Sequence, residues 1–304
     1  MGTPAQTLIL VNPAAGNGRA RRAQPHVAEY LRSQGFPADF VVSQSAEDLR
    51  RRAAEAAAAG YASIVALGGD GAFQQVVKET LGTGVILGFL PAGGGNDVAR
   101  GLGLPNDPVA AAHVFLRSRP RPVDVLRARF ADGRTGVYVG GGGLGLDAEA
   151  AQLANGKFRR LPGAARYIAS VLGTLSSFRP FDVEMEIDGK PAGKGGPLLL
   201  AAVANTPTYG AGFKIAPAAA MDDGLLDVIL VSQLSWVRLV ELIPVMLQTG
   251  NVRGPEIRRL RGRRVRFRPD RPMFFHGDGE VLGETPVEIE TLPGAIRVVA
   301  PVQP

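Results

Sequence analysis

Apolar residues follow two different rhythms along this chain, and the change falls after Pro120 and Pro122. Before it, short aliphatic runs recur at Thr7 to Asn12, Ala38 to Val42, Ser63 to Leu67 and Val85 to Leu90. Runs of this kind, rich in Leu, Ile and Val, are the pattern of buried strands. Between them, Arg19 to Gln34, Ser45 to Ala59 and Ala72 to Leu81 carry Ala, Glu, Arg and Leu at helical spacing. Ser45 followed by Asp48 resembles a capping box with aspartate in place of the usual glutamate. Strand–helix–strand repetition predicts a parallel sheet with right-handed crossovers, so residues 1–122 are expected to form an α/β domain.

After the prolines, alternating segments take over: Asp124 to Phe130, Asp182 to Ile187, Leu225 to Val231, Arg264 to Arg268 and Val287 to Leu292. Asp132-Gly133, Asp188-Gly189 and Asp278-Gly279 punctuate them as hairpin turns. Residues 123–304 therefore predict a largely antiparallel β-sandwich or barrel; whether the last strand returns to the first domain is left open. An amphipathic helix, Ser235 to Gln248, interrupts this pattern, and Pro244 is expected to kink it. No internal repeat of fixed period is visible.

The 304 residues, 45% hydrophobic and 20% charged, suit a two-domain globular protein and not a disordered or fibrous one. Cysteine is absent, which excludes disulfides, thiolate catalysis and cysteine-ligated metal centres. No signal peptide is expected at the N-terminus. The best apolar run, Leu198 to Ala204, is far short of the ~18 residues needed to span a bilayer. A balance of +6, carried mostly by arginine, points to an anionic partner: nucleotide, phospholipid surface or nucleic acid.

Three glycine-rich loops follow three of the four N-terminal strands: "NPAAGNGRA" from Asn12, "GGDGAFQQ" from Gly68 and "PAGGGNDVAR" from Pro91. One such cluster is an ordinary tight turn. Three at the carboxyl edge of a parallel sheet are more than packing needs, and ligands bind at that edge. The P-loop pattern is missing and the dinucleotide fingerprint is incomplete, so phosphate must be met by backbone amides and helix N-termini. A carboxylate among them, Asp70, implies an intervening cation, and Mg²⁺ bridging a nucleotide is the natural one. Asp97 is a candidate for positioning metal or substrate, or simply for capping a helix.

The second domain carries two acidic turns. In "FFHGDGE", Phe274 to Glu280, Asp278 and Glu280 flank a glycine, which reads either as a solvated hairpin tip or as a site for a general base. Asp222 and Asp223 precede Gly224, which reads either as a plain turn or as a small oxygen-ligand metal site. His26 and His113 lie in helical patterns and read as packing or surface residues; His276 is a weaker alternative base.

In these residues the chain resembles the diacylglycerol kinase catalytic family, which includes bacterial lipid kinases and the sphingosine and ceramide kinases. The motifs "NPAAG", "GGDGA", "PAGGGNDVAR", "GLGLDAE", "APAAAMDDGLLDV" and "GDGE" stand in the family's order over nearly the whole length. The resemblance implies an N-terminal NAD-kinase-like parallel α/β domain and a C-terminal antiparallel β-sandwich domain. It implies ATP contacts at Asn12, Pro13, Ala14, Ala15, Gly16 and Ser43, at Gly68, Gly69, Asp70, Gly71, Ala72, Phe73, Gln74 and Gln75, and at Gly93, Gly94, Asn96 and Asp97. Glu280 is implied as proton acceptor with Asp278 supporting it, and a structural Mg²⁺ at Ala220, Asp223 and Leu225 beside the Mg²⁺ near Asp70. Ala72 and Gly94 depart from the family's threonines. Each loses a hydroxyl worth on the order of 0.5–1.5 kcal/mol in an ordinary hydrogen bond.

The expectation is an ATP-dependent lipid kinase of phospholipid metabolism, cytoplasmic and peripherally associated with membrane, its Mg²⁺–ATP in the cleft between domains and its acceptor a lipid hydroxyl such as that of diacylglycerol. Arginines from Arg253 to Arg271 read mostly as a solvated strand face, with attraction to anionic headgroups as the functional alternative. A nucleic-acid partner is not expected, because aromatic interleaving and recognised modules are missing. A homodimer is left open, and a catalytically impaired nucleotide or lipid sensor is the rival reading.

Overall fold

The computed structural model describes residues 6–146, 169–170, 173–174, 178–210, 212–252 and 254–301. Two compact units divide the chain: Met1–Val123 with Gly294–Pro304, and Asp124–Pro293.

In the first unit, β1 (Thr7–Val11), β2 (Asp39–Val42), β3 (Ser63–Gly68) and β4 (Ile86–Pro91) form a parallel sheet in the order β2–β1–β3–β4. The helices α1 (Ala15–Ser33), α2 (Ala46–Ala58), α3 (Asp70–Thr80), α4 (Asp97–Gly101) and α5 (Pro108–Arg117) connect and cover these strands. Ile9, Val11 and Val65 of the sheet pack with Val27 and Leu31 of α1 and Ala111 and Ala112 of α5. β1 and β3 are buried at every position, as aliphatic runs in a covered parallel sheet should be. β2 is not: it is the edge strand, and Asp39 and Val42 are exposed. The Ser45 hydroxyl accepts from Asp48 N at 3.0 Å and Asp48 Oδ2 accepts from Gln44 N at 3.0 Å, which stabilises the start of α2.

The second unit contains β5 (Pro120–Phe130), β6 (Thr135–Tyr138), β7 (Gly141–Gly145), β8 (Phe181–Ile187), β9 (Lys190–Ala204), β10 (Leu226–Ser232), β11 (Ile257–Gly262), β12 (Arg264–Pro269), β13 (Phe274–Gly277), β14 (Glu280–Glu284) and β15 (Val287–Val299). β9 runs antiparallel to β7, β8 and β10, and β5–β6, β8–β12, β13–β14 and β10–β11 are antiparallel as well. β15 pairs with β12 here, while its residues Arg297 and Val298 lie parallel to β4 in the first unit. β8 alternates buried and exposed positions from Phe181 to Met185, the period-two pattern of a half-buried strand. One core gathers Leu144, Phe181, Val203, Val228, Phe267 and Phe275.

The helix α6 (Trp236–Gln248) starts at Ser235, whose hydroxyl accepts from Arg238 N at 3.2 Å. Ile243 and Met246 pack onto a second cluster around Tyr209, Phe213 and Ile229, while Val237 and Val240 are 70% and 54% exposed. α6 is therefore a packed helix with an apolar outer stripe. No described helix is long and apolar enough to cross a membrane.

Candidate active site

The three glycine loops lie at the carboxyl ends of β1, β3 and β4, and main-chain contacts tie them together. Asn12 N donates to Leu67 O at 3.0 Å, and Ala92 N donates to Gly68 O at 2.6 Å. Glycine is required where the loops meet, since a Cβ on Gly93 would lie 2.6 Å from the Cα of Gly69. Gly16, Asn17 and Gly18 all have left-handed backbone, so regular helix in α1 begins at Arg19, and a Cβ on Gly16 would strike the Ala92 carbonyl at 2.1 Å. Asn96, buried and also left-handed, closes the third loop: its Oδ1 accepts from Gly93 N and its Nδ2 donates to Gly93 O, both at 3.0 Å. Gly69 before α3 supplies no side-chain cap, and the regular part of α1 follows directly on the left-handed Gly16–Gly18 turn. Helix starts without side-chain caps beside glycine loops are suited to bind phosphate oxygens.

Asp70 makes a contact that no sequence pattern indicated. Its Oδ2 accepts from Asp97 N at 3.0 Å and its Oδ1 from Val98 N at 3.1 Å, so the carboxylate caps α4 from another loop. The helix N-terminus compensates the charge for which a cation was invoked. A carboxylate beside the glycine loops is the kind of ligand that a hydrated Mg²⁺ takes. Asp97 itself pairs with Arg100 at 2.9 Å.

Several side chains expected at ATP have other roles. Phe73 is fully buried and stacks on Phe89 with ring centroids 4.8 Å apart, so its side chain belongs to the core. Ala72, Gln74 and Gln75 are also buried. Ser43 is buried and donates its hydroxyl proton to Val11 O at 3.0 Å, so the same proton is not free for a phosphate.

In the second unit, Asp278 and Gly279 have φ of 49° and 83°, the two left-handed positions of a tight type I′ hairpin between β13 and β14. Glu280 opens β14 opposite Gly277. The Asp278 carboxylate accepts from three successive amides: Val139 N at 2.8 Å, Gly140 N at 2.9 Å and Gly141 N at 3.0 Å. Asp278 N returns a bond to Gly141 O at 2.8 Å. Hydrogen bonds to a charged acceptor are worth roughly 1.5–3 kcal/mol each, so the turn that carries Glu280 is pinned. Tyr138 lies fully buried against Gly277; burial, with the Asp278 charge nearby, pushes its phenol well above the ordinary tyrosine range. His276 is buried, its Nε2 2.8 Å from the Tyr209 hydroxyl.

This pinning extends to residues with no motif. Asn205, buried, donates through Nδ2 to Val139 O at 2.9 Å and to Asp124 O at 3.0 Å. Asp124 Oδ2 in turn accepts from Gly224 N at 2.7 Å. The signal available in the sequence was the density of glycine from Gly140 to Gly143, which marks backbone that must be approached closely. Asp147, Ala148 and Glu149 of "GLGLDAE" and Arg253 lie outside the described residues.

Of the residues expected to hold a structural Mg²⁺, Ala220, Asp223 and Leu225, the one carboxylate is already engaged. Asp223 Oδ1 accepts from Leu225 N at 3.0 Å and its Oδ2 from the Arg261 guanidinium, so a cation is already in place. Among the described residues, no group of three or more acidic or histidine side chains is arranged to hold a metal. The remaining arginines of this region pair largely across strands: Arg266 meets Glu288 at 2.6 Å, and Arg127 and Arg129 both bind Glu290.

Comparison with known proteins places both units in one family. Residues 6–128 match the diacylglycerol kinase catalytic domain, and residues 141–300 match the YegS C-terminal NAD kinase beta sandwich-like domain. A diacylglycerol kinase of Mycobacterium tuberculosis is 31% identical over 96% of this chain and 94% of its own length. A probable lipid kinase YegS-like protein of Chromohalobacter salexigens is 31% identical over 93% of this chain and 87% of its own. The crystal structure of a putative diacylglycerol kinase from Bacillus anthracis superposes with a TM-score of 0.80 over 99% of both chains at 22% identity, a likeness of fold. The chain belongs to the diacylglycerol kinase family and is a lipid kinase.

Proposed function

We propose that this kinase transfers the γ-phosphate of ATP to a lipid hydroxyl such as that of diacylglycerol. ATP is the substrate that family membership implies. The observation that carries the reading is the D-G-E hairpin, where three amides pin Asp278 and so fix the place of Glu280. Glu280 takes the proton of the lipid hydroxyl as the oxygen attacks phosphorus. Phosphate oxygens meet the main-chain amides of the Asn12, Gly68 and Pro91 loops and the starts of α1 and α3. Mg²⁺, when bound with ATP near Asp70, supplies charge neutralisation at the phosphates. Because the acceptor is a lipid, the enzyme works at a membrane surface, peripherally and from the cytoplasmic side.

The test is incubation of the full chain with γ-labelled ATP, Mg²⁺ and a panel of diacylglycerol, monoacylglycerol, phosphatidylglycerol, sphingosine and undecaprenol. Label in a lipid is expected, and Glu280→Gln is expected to lower turnover by ~10²–10⁴-fold while sparing ATP binding. ATP binding without labelled lipid would instead support a sensor, and near-normal turnover of the variant would remove Glu280 as base.

A further inference from the structure

We propose that Arg261, and not a divalent cation, is the positive charge that closes the acidic turn from Ala220 to Leu225. The placement follows from strand register. Asp227 and Arg261 are direct partners in the antiparallel β10–β11 ladder, which holds the arginine beside the start of β10 where the turn ends. The Arg261 Nε lies 3.1 Å from Asp227 Oδ1, while Nη2 reaches back to Asp223 Oδ2. One planar guanidinium thus bridges two carboxylates through separate nitrogens, a geometry that its fork of donors suits and an ammonium does not.

The rest of the turn is closed by hydrogen bonds of its own. Asp223 Oδ1 takes Leu225 N, Gly224 N goes to Asp124 Oδ2, and Asp124 N donates to Met221 O at 2.7 Å. Mg²⁺ needs near-octahedral oxygen donors at about 2.0–2.1 Å. To gain Asp223 Oδ2 it would have to displace the guanidinium, because two cations sharing one carboxylate oxygen repel each other strongly at that distance. In this chain the arginine performs the bridging that a structural metal would perform, and the turn folds without one.

The inference goes beyond the kinase reading, and its test uses neither nucleotide nor lipid. Thermal unfolding of the full chain is followed in chelator and in excess Mg²⁺, and Mn²⁺ alone is titrated with detection by electron paramagnetic resonance. The wild-type midpoint is expected to differ by less than ~1 °C between the two buffers, and Arg261→Met to unfold roughly 2–6 °C lower in both. Arg261→Lys is expected to recover only part of the loss. A midpoint that falls by several degrees in chelator overturns the proposal. So does one equivalent of Mn²⁺ bound by the wild type and lost in Asp223→Asn, or an Arg261→Met protein that melts like the wild type. Should Arg261→Met fail to fold, the chelator and Mn²⁺ results on the wild type and Asp223→Asn decide.

Discussion

Asp70 in the first unit and Asp278 in the second occupy similar chemical positions: each follows a strand, has glycine on both sides and accepts main-chain amides from a remote segment. They differ in what they hold. Asp70 takes two amides from the first turn of α4, while Asp278 takes three from the approach to β7. Two amides at a helix start hold the Asp70 carboxylate beside the glycine loops. Three amides on a type I′ turn hold the next residue but one, Glu280, at a set place. An aspartate between glycines is thus first a clamp.

The same isosteric change applied to both positions separates these roles. Asp278→Asn keeps one oxygen but turns an NH₂ group toward an amide that had an acceptor, so the turn shifts. A displacement of about 1 Å at a reacting group costs ~10²-fold in rate. We expect turnover to fall by about that factor with ATP affinity unchanged within ~2-fold, read by steady-state kinetics and equilibrium nucleotide binding. Asp70→Asn removes the carboxylate beside which Mg²⁺ would bind with ATP, and the expected loss is in Mg²⁺–ATP affinity, ~10-fold or about 1.4 kcal/mol, with a smaller change in turnover. If both variants lose the same parameter, the two clamps do not serve separate functions.

Much of the scaffold was legible from the chain. The aliphatic runs and their helical spacers gave the parallel sheet, and alternation gave the antiparallel unit. The core role of Phe73 was also legible, because Ala72, Phe73, Val76, Val77 and Thr80 fall at helical spacing and are all buried in α3. The clamps themselves were not legible, for a physical reason: their donors are main-chain amides 27 residues away from Asp70 and 137 from Asp278, and an amide has no sequence signature. The Arg261 bridge was hidden in another way. It depends on the register of β10 against β11, and 38 residues separate its guanidinium from Asp223.

The comparison between units extends to acid, with the smallest expected effect. In the first unit the Gln44 amide, then the Arg52 guanidinium, hold the Asp48 carboxyl at about 2, below its ordinary 3.8. In the second, burial pushes Glu290 upward, but hydrogen bonds from Arg127 and Arg129 outweigh it and leave the carboxyl below its ordinary 4.5. Both folded values are depressed. The stabilisation is therefore complete above the ordinary value and lost as pH falls through the folded one. Asp48 pairs with Arg51 and Arg52 along the surface of one helix, so its share is small and salt-sensitive, whereas Glu290 is shared by Arg127, Arg129 and Arg264. Urea unfolding at stepped pH is expected to show a flatter acid limb for Asp48→Asn between 3.8 and about 2, and for Glu290→Gln below 4.5. A limb that steepens in either variant would mean that the carboxylate opposes folding there and that its arginine partners do not offset its desolvation.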